Sequence, residues 1–125
     1  MIRPYQTPDY TALEEMLRIE GYSKKDMGFD KHQTLICEDG GIRGFYTFRF
    51  EHDRPYLVHF CVRQDSRDSR IARTLMKSFK DIFRGRKVLL NVPMHRYDIQ
   101  TIVEWYFKTK PYAEKEGHRF YEVEI

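Results

Sequence analysis

The apolar positions of this chain change period several times, and each change marks an element. Ile2 to Tyr5 alternate as a short strand, and Tyr10, Leu13, Met16 and Leu17 then recur at helical spacing. Ahead of them stand Thr7 as N-cap, Pro8 in the first turn and the helix-favouring acid Asp9. That helix is predicted to end near Gly21, and the polar stretch from Tyr22 to Gln33 reads as a loop with room for one helical turn. From Thr34 to Val62 the runs TLICE, IRGFYTFRF and YLVHFCV predict three antiparallel strands in a meander. Their turns fall at Asp39-Gly40-Gly41 and around His52 to Pro55. Ile71, Leu75, Phe79, Ile82 and Phe83 predict the longest helix, stopped at Gly85, and the nearly continuous apolar run KVLLNVP at 87–93 predicts a buried strand. A helical connection makes YLVHFCV and KVLLNVP parallel neighbours. Ile99, Ile102, Val103 and Tyr106 predict a third helix, ended by Pro111, and RFYEVEI closes the chain as a strand. The expected fold class is a single α/β domain over residues 1–125 with a mixed sheet: strand, helix, three strands, helix, strand, helix, strand.

Composition narrows the class. At 125 residues the chain suits one core, since single domains commonly run to about 100–150 residues. An aromatic fraction of 15% argues against disorder. The uncharged apolar runs stay far short of the roughly 20 residues that cross a bilayer, so no membrane partner is expected. The N-terminal residues carry no secretion or targeting pattern, and a cytoplasmic location is expected. Cys37 and Cys61 sit inside apolar strand-like runs, as reduced cysteines do, and the scattered histidines match no zinc spacing, so no metal is expected. The net charge of +3 is unevenly spread: Arg63 to Lys87 holds nine basic residues against Asp65, Asp68 and Asp81. An anionic ligand is therefore sought in the middle of the chain. Nucleic acid is not the expected one, because the aromatics fall at core spacing and no DNA or RNA module pattern appears.

The segment between the fourth strand and the long helix, VRQDSRDSRIARTL from Val62 to Leu75, resembles the GCN5-related N-acetyltransferase signature V-x-P-x-x-R-G-x-G-I-G-x-x-L. Val62, Arg67, Ile71, Ala72, Arg73 and Leu75 fall in register, while Asp68 and Arg70 stand where the family has its first two glycines and Ala72 where it has the third. The opening IRPYQTPDYTALEEML resembles the family's first strand and helix, and IVEWYFKTKPY resembles its A-x-x-F-Y-E-K-x-G-F segment. The order of elements is also the family's order.

The resemblance implies acetyl transfer from acetyl-coenzyme A to an amine of a small molecule or a protein. Physically, a helix start offers free backbone N–H groups and a partial positive charge to the coenzyme pyrophosphate. Arg67, Asp68, Ser69, Arg70, Ile71, Ala72 and Arg73 would hold it, with Asp68 bringing a negative charge close to the same anion. In the family the fourth and fifth strands splay to admit the pantetheine arm, so Phe60, Cys61 and Val62 would line it. Tyr106 matches the tyrosine that protonates the leaving thiolate, and equally fits a core aromatic at the spacing of Ile99 and Ile102. Relatives often carry a base where this chain has Tyr56 and Val58; His59 should face the other way, because side chains alternate along a strand. Glu51, with His52 and Asp53, could reach the mouth of the site or simply be solvated, and Asn91 could hold a water or the substrate. The alternative is a catalytically inactive protein that keeps this fold for binding or assembly, as a homodimer or with another protein, for instance in a virus particle. Its signal would be an exposed patch of Tyr, Phe and Trp.

Overall fold

The structure is a computed structural model that describes residues 1–22, 29, 33–67 and 70–125, with Asp98 described in its backbone alone. Most of the loop expected between Tyr22 and Gln33 lies outside the described residues. Among the described residues the strands are β1 (Ile2–Pro4), β2 (Thr34–Glu38), β3 (Ile42–Glu51), β4 (Arg54–Val62), β5 (Lys87–Pro93), β6 (Ala113–Lys115) and β7 (His118–Glu124). The helices are α1 (Tyr10–Ile19), α2 (Ile71–Ile82) and α3 (Tyr97–Tyr106). The sheet order is β1-β2-β3-β4-β5-β7-β6. β4 and β5 run parallel, with Tyr56 opposite Leu89 and Leu57 opposite Leu90, as the helical connection between them predicts. The mixed α/β class expected from the sequence is the one observed. The chain forms two compact units, one of residues 1–48 with 59–81 and the other of residues 49–58 with 82–125.

In the first unit β1 and β2 pair antiparallel, Ile2 opposite Cys37, and β2 pairs antiparallel with β3, Ile36 opposite Phe45. Leu13, Met16 and Leu17 of α1 lie in a core with Tyr5, Ile36, Phe45 and Cys61. The start of α1 differs from the prediction. Thr7–Asp9 form a turn of 3-10 helix, and the side chain that ties the entry is Asp9, which accepts the Gln6 N–H at 2.8 Å. Asp9 prevails over Thr7 because it also takes two hydrogen bonds from the Arg3 guanidinium, at 2.8 and 2.9 Å, making a charge-assisted clamp that a hydroxyl cannot offer. On α2, Ile71, Leu75 and Phe79 are buried at successive turns, and Tyr46 donates to or accepts from Ser78 at 2.8 Å while its ring meets Phe79 edge-on. Gly44 of β3 sets how closely α2 can lie on the sheet. A Cβ there would stand 2.9 Å from the Cys61 carbonyl oxygen, from Ile71 Cγ2 and from Leu75 Cδ1.

In the second unit β5 and β7 pair antiparallel along their full lengths, from Lys87 opposite Glu124 to Pro93 opposite His118. Two boundaries differ from expectation, and one strand is additional. β4 begins at Arg54, within the stretch read as a turn, because His52 and Asp53 both adopt left-handed φ values (49° and 65°) and complete the reversal alone. α3 ends at Tyr106 rather than at Pro111: Phe107 N–H bonds to Val103 O, and Lys108 turns left-handed at φ 52°. β6 is a strand that the pattern did not predict, since AEK is too short to alternate visibly. It pairs with β7 through Glu116 and Gly117, both at positive φ as a two-residue hairpin turn requires.

Candidate active site

β4 alternates as predicted. Leu57, His59 and Cys61 are buried, and Tyr56, Val58, Phe60 and Val62 face the other, half-exposed side. His59, at 2% exposure, lies among the rings of Tyr22, Phe29 and Phe45, so its imidazole belongs to the core. Cys61 faces that core as well, and burial pushes its thiol up to about 12. Of the three residues expected to line a coenzyme arm, Phe60 and Val62 thus share a face, and Cys61 can offer only its backbone.

After β4 the chain makes a turn of 3-10 helix at Gln64–Ser66, pinned by Arg63 N–H to Arg43 O at 2.8 Å and by the Arg63 guanidinium on Asp65. Arg67 is tied down too: its guanidinium pairs with Glu20 at the end of α1 and reaches the Val62 carbonyl at 3.4 Å. Asp68 and Ser69 lie outside the described residues. Arg70 then opens α2, its carbonyl accepting the Thr74 N–H at 2.9 Å, so the N–H groups of Ala72 and Arg73 precede the first intrahelical bond. Ile71 is buried, whereas Arg70, Ala72 and Arg73 are exposed, and neither guanidinium is paired among the described residues. Two backbone donors, a helix dipole and two guanidiniums with no partner among the described residues make an anion-accepting turn, and the small Ala72 leaves the backbone approachable. These residues fit a pyrophosphate.

The residues considered for the chemistry lie in the second unit. Asn91 Nδ2 donates to the Tyr56 hydroxyl across the parallel pair of β4 and β5. Burial raises the Tyr56 pKa, and the Arg49 guanidinium stacks 5.0 Å from its ring centre. Glu51, near the end of β3, is ion-paired with Arg49 at 2.6 Å. Tyr106 closes α3 at 37% exposure, its ring edge-on to Phe107, so it is not the core aromatic that helical spacing also allowed. Asn91, Glu51 and Tyr106 each have a different neighbour. The Tyr56–Asn91 and Arg67–Glu20 pairs escaped sequence reasoning, since both are contacts between residues distant in the chain.

No family model matches the chain, and no curated protein matches it. Solved structures do. The ribosomal-protein-S18-alanine N-acetyltransferase of Escherichia coli superposes with a TM-score of 0.74 at 16% identity, over 100% of this chain and 94% of its own. PaiA N-acetyltransferase of Thermoplasma acidophilum, in complex with coenzyme A, gives 0.72 at 16% identity over 100% and 98%. The diaminobutyrate acetyltransferase EctA of Paenibacillus lautus, in complex with L-2,4-diaminobutyric acid and coenzyme A, gives 0.75 at 13% identity over 99% and 93%. At these identities the likeness is one of fold.

Proposed function

We propose that this chain, which has the fold of the GCN5-related N-acetyltransferases, transfers an acetyl group from acetyl-coenzyme A to an amine of a small molecule or a protein. The observation that carries this is the start of α2, where the N–H groups of Ala72 and Arg73 and the guanidiniums of Arg70 and Arg73, unpaired among the described residues, form an anion-accepting turn in the connection that follows β4. When bound, the coenzyme supplies an activated acyl carbon. Arg70 and Arg73 bind its phosphates, and the β4 backbone at Phe60–Val62 offers amide partners to its arm. Arg67 acts indirectly, holding the turn through Glu20. Cys61, protonated and buried, offers no thiolate for a covalent intermediate, which favours direct attack by the amine. Tyr106 is assigned the proton for the departing sulfur, and Asn91 orients the Tyr56 hydroxyl.

Thermal shift with millimolar acetyl-coenzyme A tests this. The gain should be about 2.7 kcal/mol at one hundred times the dissociation constant, and Arg73→Glu should abolish it. No shift, with calorimetry equally silent, overturns the coenzyme site. A second function, a non-catalytic binding module, is favoured by the exposed Tyr97, Ile102, Trp105 and Tyr112 of the second unit. Coenzyme binding without thiol release from any of a panel of amines would decide for it.

A further inference from the structure

Within the first unit, α1 closes on a glycine. Gly21 stands at φ 93°, its N–H bonds to Arg18 O and the Tyr22 N–H bonds to Leu17 O, both at 3.0 Å. Tyr22 then sets its ring edge-on against His59 at 5.4 Å, which anchors this end of the helix on β4. Glu20 is the C-cap, and its side chain is only 11% exposed. Both circumstances count against a carboxylate. A helix C-terminus carries a partial negative charge, and burial strips the group of water. A residue that breaks the local rule in this way is expected to serve something outside its own helix. The Arg67 guanidinium meets it, and from Nε also donates to Val62 O at 3.4 Å. Arg67 thus ties the connection between β4 and α2 at two points, back to the end of β4 and across to the end of α1. Three residues further on stands Arg70, and three beyond that Arg73, neither with an ion pair among the described residues.

We infer, resting on the coenzyme reading of that turn, that Glu20 is a positioning residue for coenzyme A. By holding Arg67 it keeps the connection after β4 in the form whose far end presents the N–H groups of Ala72 and Arg73 and the guanidiniums of Arg70 and Arg73 to phosphate. Of three arginines spaced three apart, one is taken up by a carboxylate and two are left for the anion. The pairing serves the electrostatics as well, because it neutralises a carboxylate that would otherwise oppose an anion arriving at the same connection. Release of Arg67 would strand Glu20 with its charge buried and undo one of the ties on the connection. The coenzyme binds the held form more tightly than the released one. The end of α1 and the phosphate turn are therefore coupled, and the coupling runs in both directions.

Calorimetric titration of the intact chain with coenzyme A tests this in wild type, Glu20→Gln, Arg67→Gln and the double variant, each at a temperature where circular dichroism shows it folded. Glu20→Gln should weaken coenzyme A by at least about fivefold. Arg67→Gln should weaken it by a similar factor, and the double variant by no more than the larger single loss, because the two changes remove one interaction. Glu20→Asp keeps the charge and should lose less than Glu20→Gln. Unchanged or tighter binding in folded Glu20→Gln overturns the inference, and so do losses that multiply in the double variant. Were Glu20→Gln not to fold, an affinity of Glu20→Asp equal to that of wild type would overturn it as well. A wild type silent toward coenzyme A has a different meaning: it removes the coenzyme reading of the turn, and the role of Glu20 with it.

Discussion

Adding one methyl group at Gly44 should loosen the seat of α2. The new Cβ would meet three atoms at 2.9 Å, where carbon contacts normally settle at about 3.5–4.0 Å, so each carbon neighbour must retreat by roughly 0.6 Å or more. Two of the three cannot give way alone. The Cys61 oxygen is backbone in the middle of β4, and Ile71 Cγ2 is the branch of a side chain stiff at χ1. Leu75 Cδ1 can rotate only inside a core where Leu75 is fully buried. Relief therefore comes from moving the start of the helix, and overpacking of this kind costs about 1–3 kcal/mol. That outweighs the roughly 0.5–1 kcal/mol by which alanine would otherwise improve on glycine inside a strand. Urea denaturation of Gly44→Ala should show a lower midpoint at unchanged slope. Gly44→Ala combined with Leu75→Ala should cost less than the two changes summed by about 0.5 kcal/mol or more. Acetyl-coenzyme A affinity should fall with the displacement of Ile71. A Gly44→Ala protein as stable as wild type would refute the packing argument.

Further outcomes follow from other contacts. Tyr106→Phe should lower thiol release by roughly a hundredfold while coenzyme affinity and melting temperature barely move; equal rates would remove Tyr106 from the chemistry. The Asp9 carboxyl is held below its usual range, chiefly by the Arg3 hydrogen bonds. Its contribution is therefore fully present above the unfolded value of about 3.9 and lost as pH falls through the lower folded value. Asp9→Asn should be less stable than wild type at neutral pH, with the gap closing in acid, as read by urea midpoints against pH; a gap that stays constant would contradict this. Burial first, and then Glu104, pushes Tyr121 up to about 12. The stability it lends is whole below about pH 10 and fades as pH rises towards 12, so Tyr121→Phe should flatten the alkaline limb of the stability curve. Arg67→Glu, which sets two carboxylates face to face at Glu20, should destabilise the protein more than Arg67→Gln does, and equal melting temperatures would show that the pair is immaterial.

Legibility in the sequence followed the range of the interaction. The burial of Ile71, Leu75 and Phe79 is written in a repeat that one helix face enforces by itself, and the parallel pairing of β4 with β5 follows from the helix that must connect them. The clamp at Asp9 was half visible: the acid stood in the right place, but Arg3 decides between it and Thr7, and that choice is made across β1. β6 went unseen because three residues are too few to show a period, although the Glu116-Gly117 pair carried the turn chemistry. At the coenzyme turn the backbone donors of α2 were legible, while the partner that occupies Arg67 lies 47 residues away and no local pattern announces it. Tyr56 and Asn91 are likewise joined only by the register of two strands.

Cys37 and Cys61 are both buried free thiols, and this makes the folded chain silent toward thiol reagents. A colorimetric disulfide reagent added to a running reaction therefore counts the coenzyme A released, with no background from the native protein. The same two groups become a clock when the chain opens. In mild denaturant, alkylation of Cys61 must wait for β4 to leave its core, and Cys37 waits for β2, so the two labelling rates, separated by mass spectrometry of the peptides, time the opening of two neighbouring parts of one fold.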